Sequence, residues 1–107
     1  MRHYIVVPGF VRTQAYADFI NNLNDRKGRA LILARVDKFE ESGHPGDTEP
    51  VGEGVSEMRI HVGPGYRVYY TVLKQTIILP GGLKATQKAD IKTAKKFAKI
   101  WRERPPK

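Results

Sequence analysis

A Gly-Pro-Gly turn between two alternating apolar runs constrains the fold of this chain more than any other feature. Glu57-Met58-Arg59-Ile60-His61-Val62 precedes Gly63-Pro64-Gly65, and Tyr66-Arg67-Val68-Tyr69-Tyr70-Thr71-Val72 follows it. Side chains along a strand alternate between its two faces. Gly and Pro between such runs reverse the chain. The spacing therefore predicts a β-hairpin. Met58, Ile60 and Val62 share one face of the first strand; Val68, Tyr70 and Val72 share one face of the second, with Tyr66 also directed to the core. The opposite face gathers Glu57, Arg59 and His61 with Arg67, Tyr69 and Thr71. If the apolar sets face the core, one solvent-facing patch carries two guanidinium groups, a carboxylate, an imidazole and a phenol. That set suits holding a phosphate and moving protons around it. The same pattern also describes a solvated sheet face on which Glu57 neutralises an arginine.

The remaining elements read outward from this hairpin. Residues 3–7 form a short strand ended by Pro8-Gly9. Tyr16, Phe19, Ile20 and Leu23 make an amphipathic stripe that predicts a helix over 12–23. Asp25 caps a second helix running to about Glu41, with Ile32, Leu33, Val36 and Phe39 inward and Ser42-Gly43 as its stop. The Gly- and Pro-rich stretch 42–54 reads as a loop. A third strand covers Gln75 to Pro80, and Gly81-Gly82 release the chain. Thr86 caps a last helix with Ile91, Ala94, Phe97, Ala98 and Trp101 inward, ended by Pro105-Pro106. The order β-α-α-β-β-β-α implies an α+β fold of two layers. The helical hairpin and the C-terminal helix lie against an antiparallel meander sheet, leaving part of its other face open.

Length and composition set the remaining bounds. The 107 residues suit one domain, 1–107. The absence of cysteine excludes thiol catalysis, disulfides and thiolate metal sites. Three histidines form no ligand cluster at metal spacing, so no metal or other cofactor is implied. No apolar run approaches a membrane span, and the N-terminal run is too short for a secretory signal, so a cytoplasmic protein is expected. The net charge is +8, and residues 84–107 alone hold nine basic and two acidic residues. A basic segment of this kind suits a polyanion such as nucleic acid, or serves as a solvated helix face.

Several motifs occur together in a recognisable order. Asp25-Arg26-Lys27-Gly28-Arg29-Ala30 opens the second helix, and Pro50-Val51-Gly52-Glu53-Gly54-Val55-Ser56-Glu57-Met58-Arg59-Ile60 leads into the turn. Gly63-Pro64-Gly65-Tyr66-Arg67-Val68-Tyr69-Tyr70, Gly81-Gly82-Leu83-Lys84-Ala85-Thr86-Gln87, and Asp90-Ile91 with the Ala-rich helix to Trp101 follow. On these motifs the chain resembles RelE/ParE-type toxins of bacterial type II toxin–antitoxin modules, in the HigB-like, phage-derived (Gp49-like) "addiction module killer protein" branch. The likeness covers almost the full length. It implies a small toxin neutralised by a cognate antitoxin, in this branch a helix-turn-helix (HigA-like) protein that covers the basic surface and bridges to operator DNA. Most RelE-like relatives cleave mRNA in the ribosomal A site without a metal; ParE-like relatives poison DNA gyrase instead. Fold cannot separate the two, so the site must.

Within that resemblance, Arg67 is similar to the strand arginine that contacts the scissile phosphate, and Glu57 to the carboxylate that serves some relatives as general base. Arg59 and Lys84 are further phosphate candidates, and Lys84 a candidate for neutralising the leaving group. His61 and Tyr69 are acid–base or base-stacking candidates. Arg26, Lys27 and Arg29, with Lys88, Lys92, Lys95, Lys96 and Lys99, would grip RNA of the ribosome. Two departures stand out. The pattern Gly-Gly-Asp-Lys-Ser common around Lys84 is here interrupted by Leu83 and Ala85, and no His or Tyr occupies 81–87. The leading expectation is a ribosome-dependent mRNA endoribonuclease. The alternatives are a gyrase-directed toxin and an inactive module that only binds its antitoxin and operator.

Overall fold

The predicted turn joins two strands within a larger sheet than the sequence suggested. The structure is a computed structural model describing residues 5–7 and 9–104. Along the chain run β1 (Ile5–Val7), β2 (Phe10–Arg12), α1 (Gln14–Asn21), α2 (Arg26–Ser42), β3 (Thr48–Gly52), β4 (Val55–Ile60), β5 (Tyr66–Val72), β6 (Thr76–Leu83), a 3-10 turn (Lys84–Thr86) and α3 (Gln87–Arg102). The six strands lie in the order β1-β2-β6-β5-β4-β3. The β4-β5-β6 meander is antiparallel as expected, while β2 pairs with β6 in parallel. Of the strand expected over 3–7, Ile5–Val7 forms; His3, Tyr4, Pro8 and the Pro105-Pro106 stop lie outside the described residues.

Both helices of the N-terminal half start on side-chain caps. Thr13 accepts from the Tyr16 amide at 3.1 Å and donates to the Ile78 carbonyl at 2.7 Å, tying α1 to β6. Asp25 accepts from the Gly28 amide at 3.0 Å, and Gly43 closes α2 in the left-handed conformation at φ 77°, which costs glycine no Cβ clash. Tyr16, Ile20, Ile32, Val36 and Phe39 pack on Met58, Ile60, Tyr66, Val68, Tyr70 and Ile78. This is the core that the alternation predicted, and Tyr66 and Tyr70 belong to it.

Two expectations change. The stretch read as a loop over 42–54 contains β3, paired with β4 in the register Thr48↔Met58, Glu49↔Glu57 and Pro50↔Ser56. Its prolines and glycines are compatible with an edge strand, where a missing N–H is tolerated. Gly52, Glu53 and Gly54 all take positive φ to make the tight return into β4. Second, the sheet face expected to stay partly open carries α3. Ala94 and Ala98 are buried there with Val11, Val55, Tyr69, Ile77 and Leu79, and Ile91, Phe97 and Trp101 pack alongside. The helical pair therefore covers one face and α3 the other, and the α+β class stands.

Gly81 and Gly82 do not release the chain; they lie within β6, just before its last residue, Leu83. A Cβ on Gly81 would overlap the Arg67 carbonyl oxygen, and one on Gly82 would overlap an Asp90 carboxylate oxygen. The glycines let β6 run against β5 and under the first turn of α3, which extends the strand to Leu83.

Candidate functional site

Strand register puts the two arginines side by side. Arg59 on β4 pairs directly with Arg67 on β5, and Glu57 with Tyr69. All four point to the α3 face, since their neighbours Met58 and Val68 belong to the opposite core. Residues directly opposite across an antiparallel pair lie within side-chain reach.

Glu57 is the hub of this group and has no exposed surface. Its Oε1 lies 3.1 Å from Arg59 Nε and 3.7 Å from Arg67 Nε. Its Oε2 accepts from Gln87 Nε2 at 2.6 Å and from the Tyr69 hydroxyl at 3.5 Å. Burial of a carboxylate is tolerated only with such partners. The Arg59 guanidinium is held more firmly in its charged form by the hydrogen bond to Glu57. Burial, reinforced by the nearby Glu57 charge, drives the Tyr69 hydroxyl well above the ordinary phenol range.

The patch is thus not uniformly open. The Arg59 side chain is 32 % exposed and that of Arg67 7 %. Tyr69, expected as an acid–base or stacking group on an open face, is fully buried among Val11, Leu79, Ala94 and Ala98. Its ring has no free face for a base, because α3 lies over it. Glu57, expected as a general base, is likewise enclosed and engaged by four partners. Its position fits the alternative reading, in which it orients arginines.

The open part of the site lies at the turn end of the hairpin. A cleft of about 280 Å³ is lined by His61, Val62, Gly63, Pro64, Gly65, Arg67 and Lys84. Lys84 reaches it because its amide donates to the Gly65 carbonyl at 2.9 Å. Gly65 takes φ 82°, and a Cβ there would sit 3.2 Å from that of Lys84. His61 is exposed, and its Nε2 lies 2.5 Å from Asp47 Oδ2. The start of α2 abuts the same turn. The Tyr66 hydroxyl donates to Asp25 Oδ2 at 2.6 Å, and Gly63 packs against that carboxylate. The hydrogen bond from Tyr66 holds the Asp25 carboxyl below its usual range and pushes the Tyr66 hydroxyl up to about 12. Exposed Arg26 and Lys27 and half-buried Arg29 follow that cap.

Along α3, Lys88, Lys92, Lys96 and Lys99 are exposed, while half-buried Lys95 lies 3.6 Å from Glu53. Gln87, Asp47 and Arg35 are the residues that sequence reasoning missed. Arg35 donates to the Arg59 and Pro45 carbonyls, each at 2.7 Å, and anchors the segment that delivers Asp47. The signal for Asp47 was available only through β3: continuing its register one residue beyond Thr48↔Met58 brings Asp47 opposite Arg59. Among the described residues, no group of three or more His, Asp or Glu is placed to hold a metal ion. No helix among them is long and apolar enough to cross a membrane.

The sequence has relatives among known proteins. Residues 18–102 match the family described as phage-derived protein Gp49-like. A protein of Haemophilus influenzae (strain Rd KW20), described as uncharacterized, is 38 % identical over 91 residues, covering 80 % of this chain and 88 % of that one. No solved structure matches the chain.

Proposed function

We propose that this chain, which belongs to the phage-derived Gp49-like family, is the toxin of a toxin–antitoxin module and cleaves mRNA on the ribosome. Membership of that family, a toxin family of such modules, supports the toxin assignment and the presence of an antitoxin partner. One observation carries the finer reading. Arg59 and Arg67 stand opposite each other with a shared carboxylate behind them, and Arg67 opens onto a cleft that also holds Lys84 and His61.

Cleavage of RNA by its own 2′-hydroxyl needs a base for that proton, stabilisation of the charged phosphorane, and a proton for the departing 5′-oxygen. In this reading His61 takes the 2′-hydroxyl proton as the 2′-oxygen bonds to phosphorus. The P–O5′ bond breaks, and the Lys84 ammonium protonates the 5′-oxygen, leaving a 2′,3′-cyclic phosphate and a 5′-hydroxyl. Arg67, assisted by Arg59, stabilises the phosphorane; a guanidinium forks onto two phosphate oxygens and stays charged throughout. Glu57 acts through these arginines by holding them in place, and Tyr69 and Gln87 hold Glu57. The lysines of α3 and the Arg26-Lys27-Arg29 cluster grip ribosomal RNA, and the antitoxin covers that same basic surface.

The test is induction of the protein in cells, read by mapping new mRNA 5′ ends and by probing for gyrase–DNA adducts. New 5′ ends within translated codons are expected, and Arg67→Ala should reduce them by about 100-fold or more, the scale of losing one transition-state donor. Lys84→Ala, at an exposed position, should reduce cleavage without disturbing the fold. Wild-type-like cleavage by both variants would dismiss the assigned roles. Adducts with intact mRNA would replace this reading with a gyrase-directed one.

A further inference from the structure

His61 and Asp47 come from different segments, and the chain fixes both ends of their contact. Asp47 precedes β3, and its backbone is held on two sides. Its carbonyl accepts from the Arg59 amide at 3.0 Å and from the Arg35 guanidinium at 3.3 Å. The preceding Gly46 takes φ 78°, and a Cβ there would strike the Arg35 guanidinium at 2.8 Å. A larger residue at 46 would therefore displace Arg35 or the turn. His61 follows β4 directly and enters the Gly-Pro-Gly turn. Its Nε2 meets Asp47 Oδ2 at 2.5 Å.

The surroundings make this carboxylate unusual. Three clefts meet at the pair, lined among others by Arg35, Lys38, His44, Arg67 and Lys84. Of the described residues lining them, Asp47 alone is acidic. Arg59 also faces Asp47 from β4. An imidazole set among cations is disfavoured as an imidazolium unless an anion touches it. In the neutral ring, Nε2–H donating to a carboxylate leaves Nδ1 as the acceptor. A carboxylate on one ring nitrogen thus fixes the tautomer, aims the other nitrogen, and stabilises the cation formed on proton uptake.

We infer that Asp47 is a positioning residue that orients His61 to take the 2′-hydroxyl proton of RNA bound in the cleft floored by Arg67 and Lys84. The inference rests on the RNA-cleavage reading above and adds to it a residue that acts through His61. Asp47 touches no substrate in this role. Its removal acts on the reaction through His61, its hydrogen-bond partner.

The test uses the full chain and ribosomes programmed with mRNA, with single-turnover cleavage as the readout. Asp47→Asn keeps the shape and loses the charge. It should slow cleavage by about 10-fold, a part of the roughly 100- to 10,000-fold that general acid–base catalysis supplies. Asp47→Glu, which keeps the carboxylate, should cleave faster than Asp47→Asn. Adding Asp47→Asn to His61→Ala should cause no further loss. In parallel, 15N NMR of the free protein should show the His61 ring held as the Nε2–H tautomer in wild type and released from it in Asp47→Asn. Cleavage by Asp47→Asn at the wild-type rate, a further loss in the double variant, or an unchanged ring tautomer would each overturn the inference. If the tautomer changes but the wild-type protein cleaves no mRNA, the RNA-cleavage reading has failed and the catalytic role of Asp47 falls with it.

Discussion

Replacing Glu57 by Gln is the sharpest probe of the buried site. The side chain has no exposed surface and meets Gln87 at 2.6 Å, Arg59 at 3.1 Å, Tyr69 at 3.5 Å and Arg67 at 3.7 Å. Glu57→Gln preserves volume but removes the charge and turns one acceptor oxygen into a donor that faces other donors. Arg59 can turn toward water and toward Glu49, 3.9 Å away. Arg67 has much less room to do so, because its side chain is 7 % exposed and its hydrogen bond is to the Tyr66 carbonyl at 3.3 Å. Removing one partner of a buried pair costs about 3–5 kcal/mol, much of it from the stranded charge. With Arg59 free to relax, the lower end applies, ~3 kcal/mol. For a domain near 100 residues each kcal/mol moves the midpoint by about 4–8 °C, so Tm should fall by roughly 12–24 °C. Urea and thermal unfolding followed by circular dichroism measure both. Adding Arg67→Met removes the stranded cation, and the double variant should regain at least about 1 kcal/mol. A single variant within about 0.5 kcal/mol of wild type, or a double variant less stable than the single, would refute the account of Glu57 as the anchor of these arginines.

Three further outcomes follow from other contacts. Gly81→Ala should fail to fold or lose several kcal/mol, about 3 or more, because its Cβ meets backbone that cannot move, whereas Gly82→Ala should be milder because the Asp90 side chain can rotate away; equal midpoints would contradict the packing described. Tyr66 has its hydroxyl pushed from 10.0 up to about 12 by the bond to Asp25, so stability from the neutral hydroxyl is complete below pH 10 and lost as pH rises to about 12; Tyr66→Phe should flatten that part of the stability–pH curve, and an unchanged slope would count against the bond. Reversing Lys88, Lys92, Lys96 and Lys99 to Glu should weaken ribosome binding and lower the slope of log affinity against log salt by about 0.7 for each single-strand phosphate left unneutralised; an unaltered slope in a binding titration would remove α3 from the interface.

Much of the scaffold could be read from residue patterns because local chemistry agrees with the final packing. The Asp25 cap, the Gly43 stop, the Tyr16–Ile20 stripe and the alternation through Met58 and Val68 each report a preference that the fold keeps. What escaped notice depends on contacts between distant segments. β2 is three residues long, too short for a period, and forms because β6 lies beside it. β3 is an edge strand whose Pro50 and Gly52, within a Gly- and Pro-rich stretch, carry a loop signature. The alternation correctly grouped Glu57, Arg59, Arg67 and Tyr69 on one face, yet no pattern in those strands says that α3 will roof it. For that reason the candidate site was legible as a set of residues but not as an enclosed floor with an open rim. Asp47 carried no motif at all, and Gln87 closed one without a role assigned to it; each gains its place from the tertiary arrangement around it.

The parallel pairing of β2 with β6 joins Phe10 to Thr76 across most of the chain. Closing so long a loop precedes any reward from the contacts it allows, and makes the step slow. A nascent chain that has emerged only as far as residue 70 has β2 without β6, Arg67 without its roof, and neither Lys84 nor any lysine of α3. The cleft at the turn and the basic face of α3 therefore form only after residues 84–102 have emerged. A partner translated earlier would already be waiting when that surface appears.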